Sequence, residues 1–179
     1  MGMALTTPIY TVEDLESFPE DGNRYELLEG MLLVTPAPSQ LHQLIATRLS
    51  AALIAALGPD RARVAAPGVI VRPTRTQLEP DILAYPPHWP IRSRWVEVTE
   101  HWLAVEVFSP SSRIYDRDYK RRAYLEIGVR EVWLVDLDDE TVEVSRVNGS
   151  GEVVRTVVEW AVPDGGAVVS VDVREMFRR

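Results

Sequence analysis

The clearest hydrophobic pattern along the chain is a helical one that begins after Ser39. Serine is a preferred helix N-cap, and apolar residues then recur at helical spacing: Leu41, Leu44, Ile45, Leu49, Ala52, Leu53 and Ala56. Gly58-Pro59 ends the pattern, because glycine terminates helices and proline cannot continue them. The sequence therefore predicts one long helix between Ser39 and Gly58.

Shorter apolar runs on both sides of that helix predict strands. They cover residues 25–34 (a pair hinged at Glu29-Gly30), 64–66, 69–71, 80–83, 102–108, 131–136, 141–147 paired with 153–158, and 168–173. Helices are predicted over 11–18, over 117–127 and at the C-terminus, with a polar turn over 72–76 and a long loop over 84–100. This order predicts an α/β fold, with a mixed central β-sheet flanked by helices and an antiparallel hairpin extension at the C-terminal end.

Length and composition narrow the class of protein. No repeat or linker divides the 179 residues, so we expect a single domain over 1–179. The chain has no cysteine, which excludes thiol catalysis, thiolate zinc sites and disulfides. We see no signal sequence and expect no stretch long and apolar enough to span a membrane, so the expected location is cytoplasmic, without a membrane partner.

Two predicted strands carry a carboxylate where burial disfavours one. Asp81 begins one strand, and Glu106 interrupts the apolar run 102–108. Strand residues two apart share a face, so Glu106 points with Ala104 and Phe108. Because an unpaired buried charge is costly, this pattern predicts an acid in a crevice. A carboxylate that pairs with an arginine in an edge strand is the alternative.

The cations are distributed unusually. The formal net charge of −8 argues against a protein that coats nucleic acid, but it allows a nuclease with a local basic rim. Of the 19 basic residues, 18 are arginines and one is a lysine, Lys120. Two strand carboxylates followed by a lysine are the minimum set for metal-assisted phosphodiester cleavage. The carboxylates hold Mg²⁺, which activates water and neutralises phosphate charge, and the ammonium orients the water.

Other chemistries fit less well. The segment Ser109-Pro110-Ser111-Ser112 invites a nucleophilic serine, but the three histidines form no recognisable triad spacing and are too few for a histidine zinc site. Tyr124 lies one helical turn after Lys120 and is predicted to pack rather than to take part in chemistry.

Taken in chain order, these residues resemble the PD-(D/E)XK nuclease superfamily and, more closely, the Uma-two family of restriction-endonuclease-like proteins. The resemblance covers about residues 10–160. It rests on the following segments: Tyr25-Glu26-Leu27-Leu28-Glu29-Gly30, His42-Gln43, Glu79-Pro80-Asp81-Ile82, Val105 to Ser112, Asp116-Arg117, Lys120, and Gly128 to Asp136. It implies a restriction-endonuclease-like core.

The resemblance also implies site residues. It gives two ligands for Mg²⁺ or Mn²⁺, a catalytic lysine and a further acid: Asp81 and Glu106, Lys120, and Glu29 in preference to Glu26. One departure stands out. The superfamily usually places its lysine two residues after the second acid, where this chain has Phe108. Lys120 would therefore have to reach the site from the following helix.

The expected function is that of a Mg²⁺- or Mn²⁺-dependent endonuclease, with nucleic acid as partner and DNA as the expected substrate. Four residues are predicted to contact nucleic acid: His42, Arg113, Arg117 and Arg121. For His42, a solvated helix histidine is the alternative. A homodimer is expected, since many nucleases pair two sites across a duplex. Two other functions remain open: a catalytically silent nuclease-fold module, and an oligomeric interaction protein built on Trp89, Trp95 and the C-terminal hairpins.

Overall fold

The computed structural model describes residues 8–108, 119–147, 149 and 151–178. The α-helices within these ranges are α1 (Gln40–Arg61), α2 (Arg121–Ile127) and α3 (Val173–Phe177), and short 3-10 helices cover Glu13–Ser17 and Trp95–Glu97. The strands are β1 (Arg24–Leu28), β2 (Met31–Thr35), β3 (Arg63–Ala65), β4 (Ile70–Arg72), β5 (Thr76–Leu78), β6 (Ile82–Tyr85), β7 (Leu103–Phe108), β8 (Glu131–Asp136), β9 (Thr141–Arg146), β10 (Glu152–Val154), β11 (Val157–Ala161) and β12 (Val168–Asp172).

A six-stranded sheet in the order β10-β9-β8-β7-β6-β3 forms the centre of the fold. β7 and β8 run parallel, and α2 lies in the connection between them. The other neighbouring strands of this sheet are antiparallel. The predicted α/β fold with a mixed central sheet is confirmed.

The alternation of side chains along β7 divides the interior into two cores. Val105 and Val107 pack on the side of α1, α3 and the β11–β12 hairpin. Ala104 and Phe108 pack on the opposite side, with α2 and a second sheet. Glu106 shares the face of Ala104 and Phe108, as the sequence predicts. Because both faces of the central sheet are covered, Glu106 is only 2% exposed.

The second sheet has four strands in the order β2-β1-β5-β4. β1 and β2 form the predicted hairpin, and both turn residues, Glu29 and Gly30, have positive φ, at 52° and 85°. β5 was not predicted. This strand has only three residues, and its two buried positions hold polar Thr76 and apolar Leu78. Its sequence therefore shows no alternation of apolar and polar residues. The predicted polar turn is present but short, at residues 73–75.

The C-terminal strands form two hairpins. β9 pairs with β10, whereas β11 pairs with β12 in a separate two-stranded sheet. The predicted strand 153–158 therefore covers the end of β10 and the start of β11, with a break between them. Val158 and Trp160 of the second hairpin pack into the core on the α1 side.

α1 begins as predicted, with Ser39 as its N-cap accepting a hydrogen bond from the amide of His42. Gly58 leaves the helical conformation, and one more turn follows it. By length and composition α1 could cross a membrane, which corrects the expectation that no stretch is apolar enough. This property is weak evidence for a membrane span, because core helices of soluble proteins share it. In α1, Ile45, Leu49 and Leu53 are buried in the core.

Two other predicted helices differ in extent. The helix predicted over 11–18 is a short 3-10 helix, Glu13–Ser17. α2 begins at Arg121, with Lys120 at its N-terminal cap and Gly128 as the left-handed residue that ends it. Residues 117 and 118 of this predicted helix lie outside the described residues.

Candidate active site

Asp81 lies directly before β6, beside the end of β7. The β6–β7 register pairs Ile82 with Val105, and continuing it by one residue places Asp81 opposite Glu106. Opposite residues of antiparallel strands point to the same face, so the two carboxylates share the face toward α2. The amide of Val107 donates a hydrogen bond to Asp81 Oδ2 at 2.8 Å, which ties this carboxylate to β7.

A guanidinium and an imidazole contact the Asp81 carboxylate. Arg24 Nη1 lies 3.1 Å from Oδ1, and His42 Nε2 lies 3.0 Å from Oδ2. Burial raises the pKa of Asp81, but the hydrogen bond and charge of His42, followed by Arg24 and the Val107 amide, outweigh burial and lower this pKa below its usual value. Asp81 is therefore an ionised carboxylate at neutral pH.

Lys120 and Tyr124 bring the start of α2 to Glu106. Lys120 Nζ donates a hydrogen bond to Glu106 Oε1 at 3.2 Å, and the Tyr124 hydroxyl donates to the same oxygen at 2.5 Å. The structure thus brings together Asp81, Glu106 and Lys120. Tyr124 is buried in the core, as predicted, but its hydroxyl also contacts the candidate site.

Glu26 is a third carboxylate in this group and is fully buried on β1. Its Oε2 lies 2.6 Å from Lys120 Nζ, and its Oε1 accepts a hydrogen bond from the Glu79 amide at 2.7 Å. Glu26 therefore links β1 both to Lys120 and to the segment that carries Asp81.

The structure does not bring Glu29 to the group, so the preference for Glu29 over Glu26 is corrected. Glu29 lies in the β1–β2 turn and is exposed. Its amide donates to Thr76 Oγ1 at 3.1 Å. The physical reason is that β1 ends at Leu28, so Glu29 lies past the strand in the turn, whereas Glu26 lies on the strand.

Arg24 is a residue that the sequence reasoning missed. Besides contacting Asp81, its Nη1 donates a hydrogen bond to the carbonyl oxygen of Glu79 at 3.0 Å. Burial lowers the pKa of Arg24, but three carboxylates outweigh burial and raise it above its ordinary value: Asp81, Glu106 and Glu26. Residues 24 and 26 share a strand face, but Glu26 and Leu27 are both fully buried, so apolar alternation does not mark that face as the one toward the site.

These side chains line a cleft of about 680 Å³. Its ionisable lining comprises Arg24, His42, Glu79, Asp81, Glu106 and Lys120, and most of the remaining lining is apolar and comes from residues 31–38. Burial, together with the charge of Glu26, raises the pKa of Glu79. With Glu26 included, four carboxylates face two basic side chains, Arg24 and Lys120. The group is therefore short of two positive charges when His42 is neutral and every carboxylate is ionised.

The residues of the cleft fit a divalent cation by ligand type. In the part of the chain that the structure describes, no group of three or more His, Asp or Glu side chains is arranged to hold a metal ion. Mg²⁺ needs fewer protein ligands, because it keeps several waters and commonly uses one or two carboxylates plus substrate phosphates. Asp81 and Glu106 supply two hard oxygen ligands in one cleft, and the charge deficit matches one divalent cation.

The remaining predicted site residues are placed differently. Arg121 Nη1 lies 2.9 Å from Glu143 Oε1, so it pairs with β9. Arg113 and Arg117 lie outside the described residues. His42 is 15% exposed and contacts Asp81, so it is not the solvated histidine of the alternative. Phe108, at the usual lysine place, is buried in the core.

Comparisons with known proteins agree with this fold. A solved structure described as "a putative nuclease belonging to DUF820" from Anabaena variabilis ATCC 29413 is similar over 93% of this chain and 97% of that chain, with a TM-score of 0.72 and 20% identity. Among curated proteins, none matches the chain. The family model Uma2, described as "Putative restriction endonuclease", matches residues 12–173. The resemblance is therefore confirmed, and the chain belongs to the Uma2 family.

Proposed function

We propose that this protein is a divalent-metal-dependent endonuclease that hydrolyses phosphodiester bonds of DNA. Membership of the Uma2 family supports a nuclease-like function. The observation that carries the proposal is the meeting of Asp81, Glu106 and Lys120 in one cleft, although they come from three separate segments of the chain. Ionisable groups perturbed by burial and by specific partners in a cleft are typical of functional sites.

Each residue has a distinct role in this proposal. Asp81 and Glu106 would hold Mg²⁺ or Mn²⁺, which when bound supplies activation of water and neutralisation of phosphate charge. Lys120 orients the attacking water through its ammonium group. Glu26 and Tyr124 are positioning residues, because their contacts fix Lys120 and Glu106 before substrate enters the cleft.

The contacts to nucleic acid form a further part of the proposal. Arg113, Arg117 and Arg121 would bind phosphates. Arg121, which is not part of the cleft lining, would leave Glu143 to contact a phosphate. We place His42 with Asp81 as a positioning residue, because its Nε2 contacts that carboxylate. The proposal keeps the homodimer and the cytoplasmic location that the sequence favours.

Nicking of supercoiled plasmid tests this function. The wild type should nick DNA in Mg²⁺ or Mn²⁺ and stop when EDTA is added. Asp81→Asn and Glu106→Gln should each slow nicking by about 100-fold or more, the order of effect seen when a group that stabilises charge is removed. Arg130→Gln removes only an exposed pair with Glu100 and should nick at the wild-type rate. If both carboxylate variants are folded by circular dichroism and nick DNA at the wild-type rate, the proposal is overturned.

A catalytically silent nuclease-fold module is the second candidate, and one observation favours it. Phe108 stands where the superfamily usually has its lysine and is 1% exposed in the core. A silent module would bind Mn²⁺ and nucleic acid without cleaving the nucleic acid. Metal binding measured by calorimetry, with no nicking under the same conditions, would identify this function.

A further inference from the structure

Arg24 contacts an oxygen that Asp81 would use to bind a metal. Its Nη1 lies 3.1 Å from Asp81 Oδ1, while Oδ2 accepts from the Val107 amide and contacts His42. Both oxygens of Asp81 therefore already have donors. A cation that binds this carboxylate has to compete with them, and Arg24 is the donor with a permanent charge.

Arg24 would stay in the cleft after losing Asp81. The same Nη1 is held at 3.0 Å by the carbonyl oxygen of Glu79, and the side chain is 23% exposed and lines the cleft. A guanidinium carries five N–H donors, and its planar geometry suits phosphate oxygens. The freed donors would therefore face the space that substrate enters.

We propose that Arg24 exchanges partners in this site, pairing with Asp81 in the metal-free protein, giving up Oδ1 to the divalent cation, and then binding a phosphate oxygen of the nucleic acid. This inference rests on the proposed function. The charges of the cleft support it. A divalent cation on Asp81 replaces Arg24 as the positive partner of that carboxylate, and the entering phosphate brings a negative charge with which the released guanidinium can pair.

Arg24→Gln separates this role from a structural one. Glutamine keeps hydrogen-bond donors but removes the charge that competes for Asp81. Affinity for Mn²⁺ should therefore rise on the order of tenfold, which corresponds to about 1.4 kcal/mol. The KM for DNA should rise as well, because the phosphate loses its cation. A residue that only supports the fold would weaken both kinds of binding.

Calorimetric titration of Mn²⁺ into the metal-free wild type, Arg24→Gln and Arg146→Gln tests the exchange. Arg146 is a matched control: it pairs with the buried Glu131 at 2.7 Å, outside the cleft lining, so its variant loses the same charge. We expect tighter binding in Arg24→Gln and wild-type affinity in Arg146→Gln. Equal or weaker binding in Arg24→Gln, with the wild type binding Mn²⁺, would overturn the exchange and leave the proposed function standing.

The other outcomes of the titration also test the exchange and the proposed function. Binding by Arg24→Gln alone would support the competition for Asp81 while contradicting a metal-dependent wild type. If no protein binds Mn²⁺, both proposals fail. If Arg24→Gln does not fold, a crystal structure of the wild type with Mn²⁺ gives the answer. Arg24 should have left Asp81 Oδ1, and a retained contact beside bound Mn²⁺ would contradict the exchange.

Discussion

Lys120 lies between two buried carboxylates, and its ammonium group compensates their negative charge. Its Nζ is 2.6 Å from Glu26 Oε2 and 3.2 Å from Glu106 Oε1. Asp81, Glu106 and Lys120 could be selected from the sequence because two are acids at strand positions and the third is the single lysine. Glu26 and Arg24 could not, because both faces of β1 are covered: Glu26 and Leu27 are each 0% exposed, so apolar alternation does not identify the face toward the site.

Removing either partner of the Glu26–Lys120 pair should destabilise the metal-free protein. Glu26→Gln and Lys120→Met should each lower the free energy of unfolding by about 3 kcal/mol, because breaking a buried pair leaves an uncompensated charge. The double variant should lose less than the sum, since the second change removes the charge that the first left unpaired. Urea denaturation in EDTA measures all four proteins. Additive losses would contradict a direct coupling of the two residues.

At the scale of elements, the β1–β2 hairpin and the start of α2 set the geometry of the site. Long elements with strong apolar patterns, such as α1, β7 and β8, were predictable from the sequence. β5 was not, since its three residues are held by pairing with β4 and β1 rather than indicated by a pattern of their own. Tertiary pairing of this kind leaves little trace in a single sequence.

The tight β1–β2 turn depends on Gly30. Its φ is 85°, and an added Cβ would lie 2.6 Å from Ile9 Cγ2 and 3.2 Å from the Tyr10 carbonyl oxygen. Gly30→Ala should therefore lower the free energy of unfolding by about 2 kcal/mol or more, through backbone strain and crowding together. Gly22→Ala is the control, because its φ is 86° but no atom lies within 4 Å of the added Cβ. Equal losses in urea denaturation would show that crowding at Gly30 has no effect.

At the scale of the whole molecule, the α/β class and the family were predictable from the order of the predicted helices, strands and short motifs along the chain. Each of these signals is weak alone, but together in this order they identify the family. The single domain, the homodimer and the cytoplasmic location stay predictions. The net charge of −8 hides the arrangement on which the proposed function depends, in which Arg24 and Lys120 face three carboxylates that line the cleft and the buried Glu26. Net charge could not reveal this, since it carries no information about which charges meet.

Acid sensitivity of the molecule should depend on a histidine outside the cleft lining. Burial lowers the pKa of His101 to about 4, and its Nε2 has no hydrogen-bond partner among the described residues. Its pKa in the unfolded chain is about 6.5, so the unfolded state takes up the proton first. The stability that neutral His101 contributes is therefore present above pH 6.5 and is lost as pH falls toward 4, on the order of 3 kcal/mol.

Urea denaturation between pH 7 and pH 4 checks this dependence. His101→Gln should lose less stability than the wild type over that range, and the exposed His88→Gln should follow the wild type. Parallel curves for all three proteins would show that His101 does not set the acid limit.

In the proposed function, Lys120 reaches the site from the start of α2 and supplies the ammonium that position 108 lacks. The most direct measurement is the plasmid-nicking rate of Lys120→Met in saturating Mn²⁺, with folding verified by circular dichroism. We predict a rate about 100-fold or more below the wild type, because the positioned ammonium is lost. Nicking at the wild-type rate by the folded variant would contradict this role of Lys120.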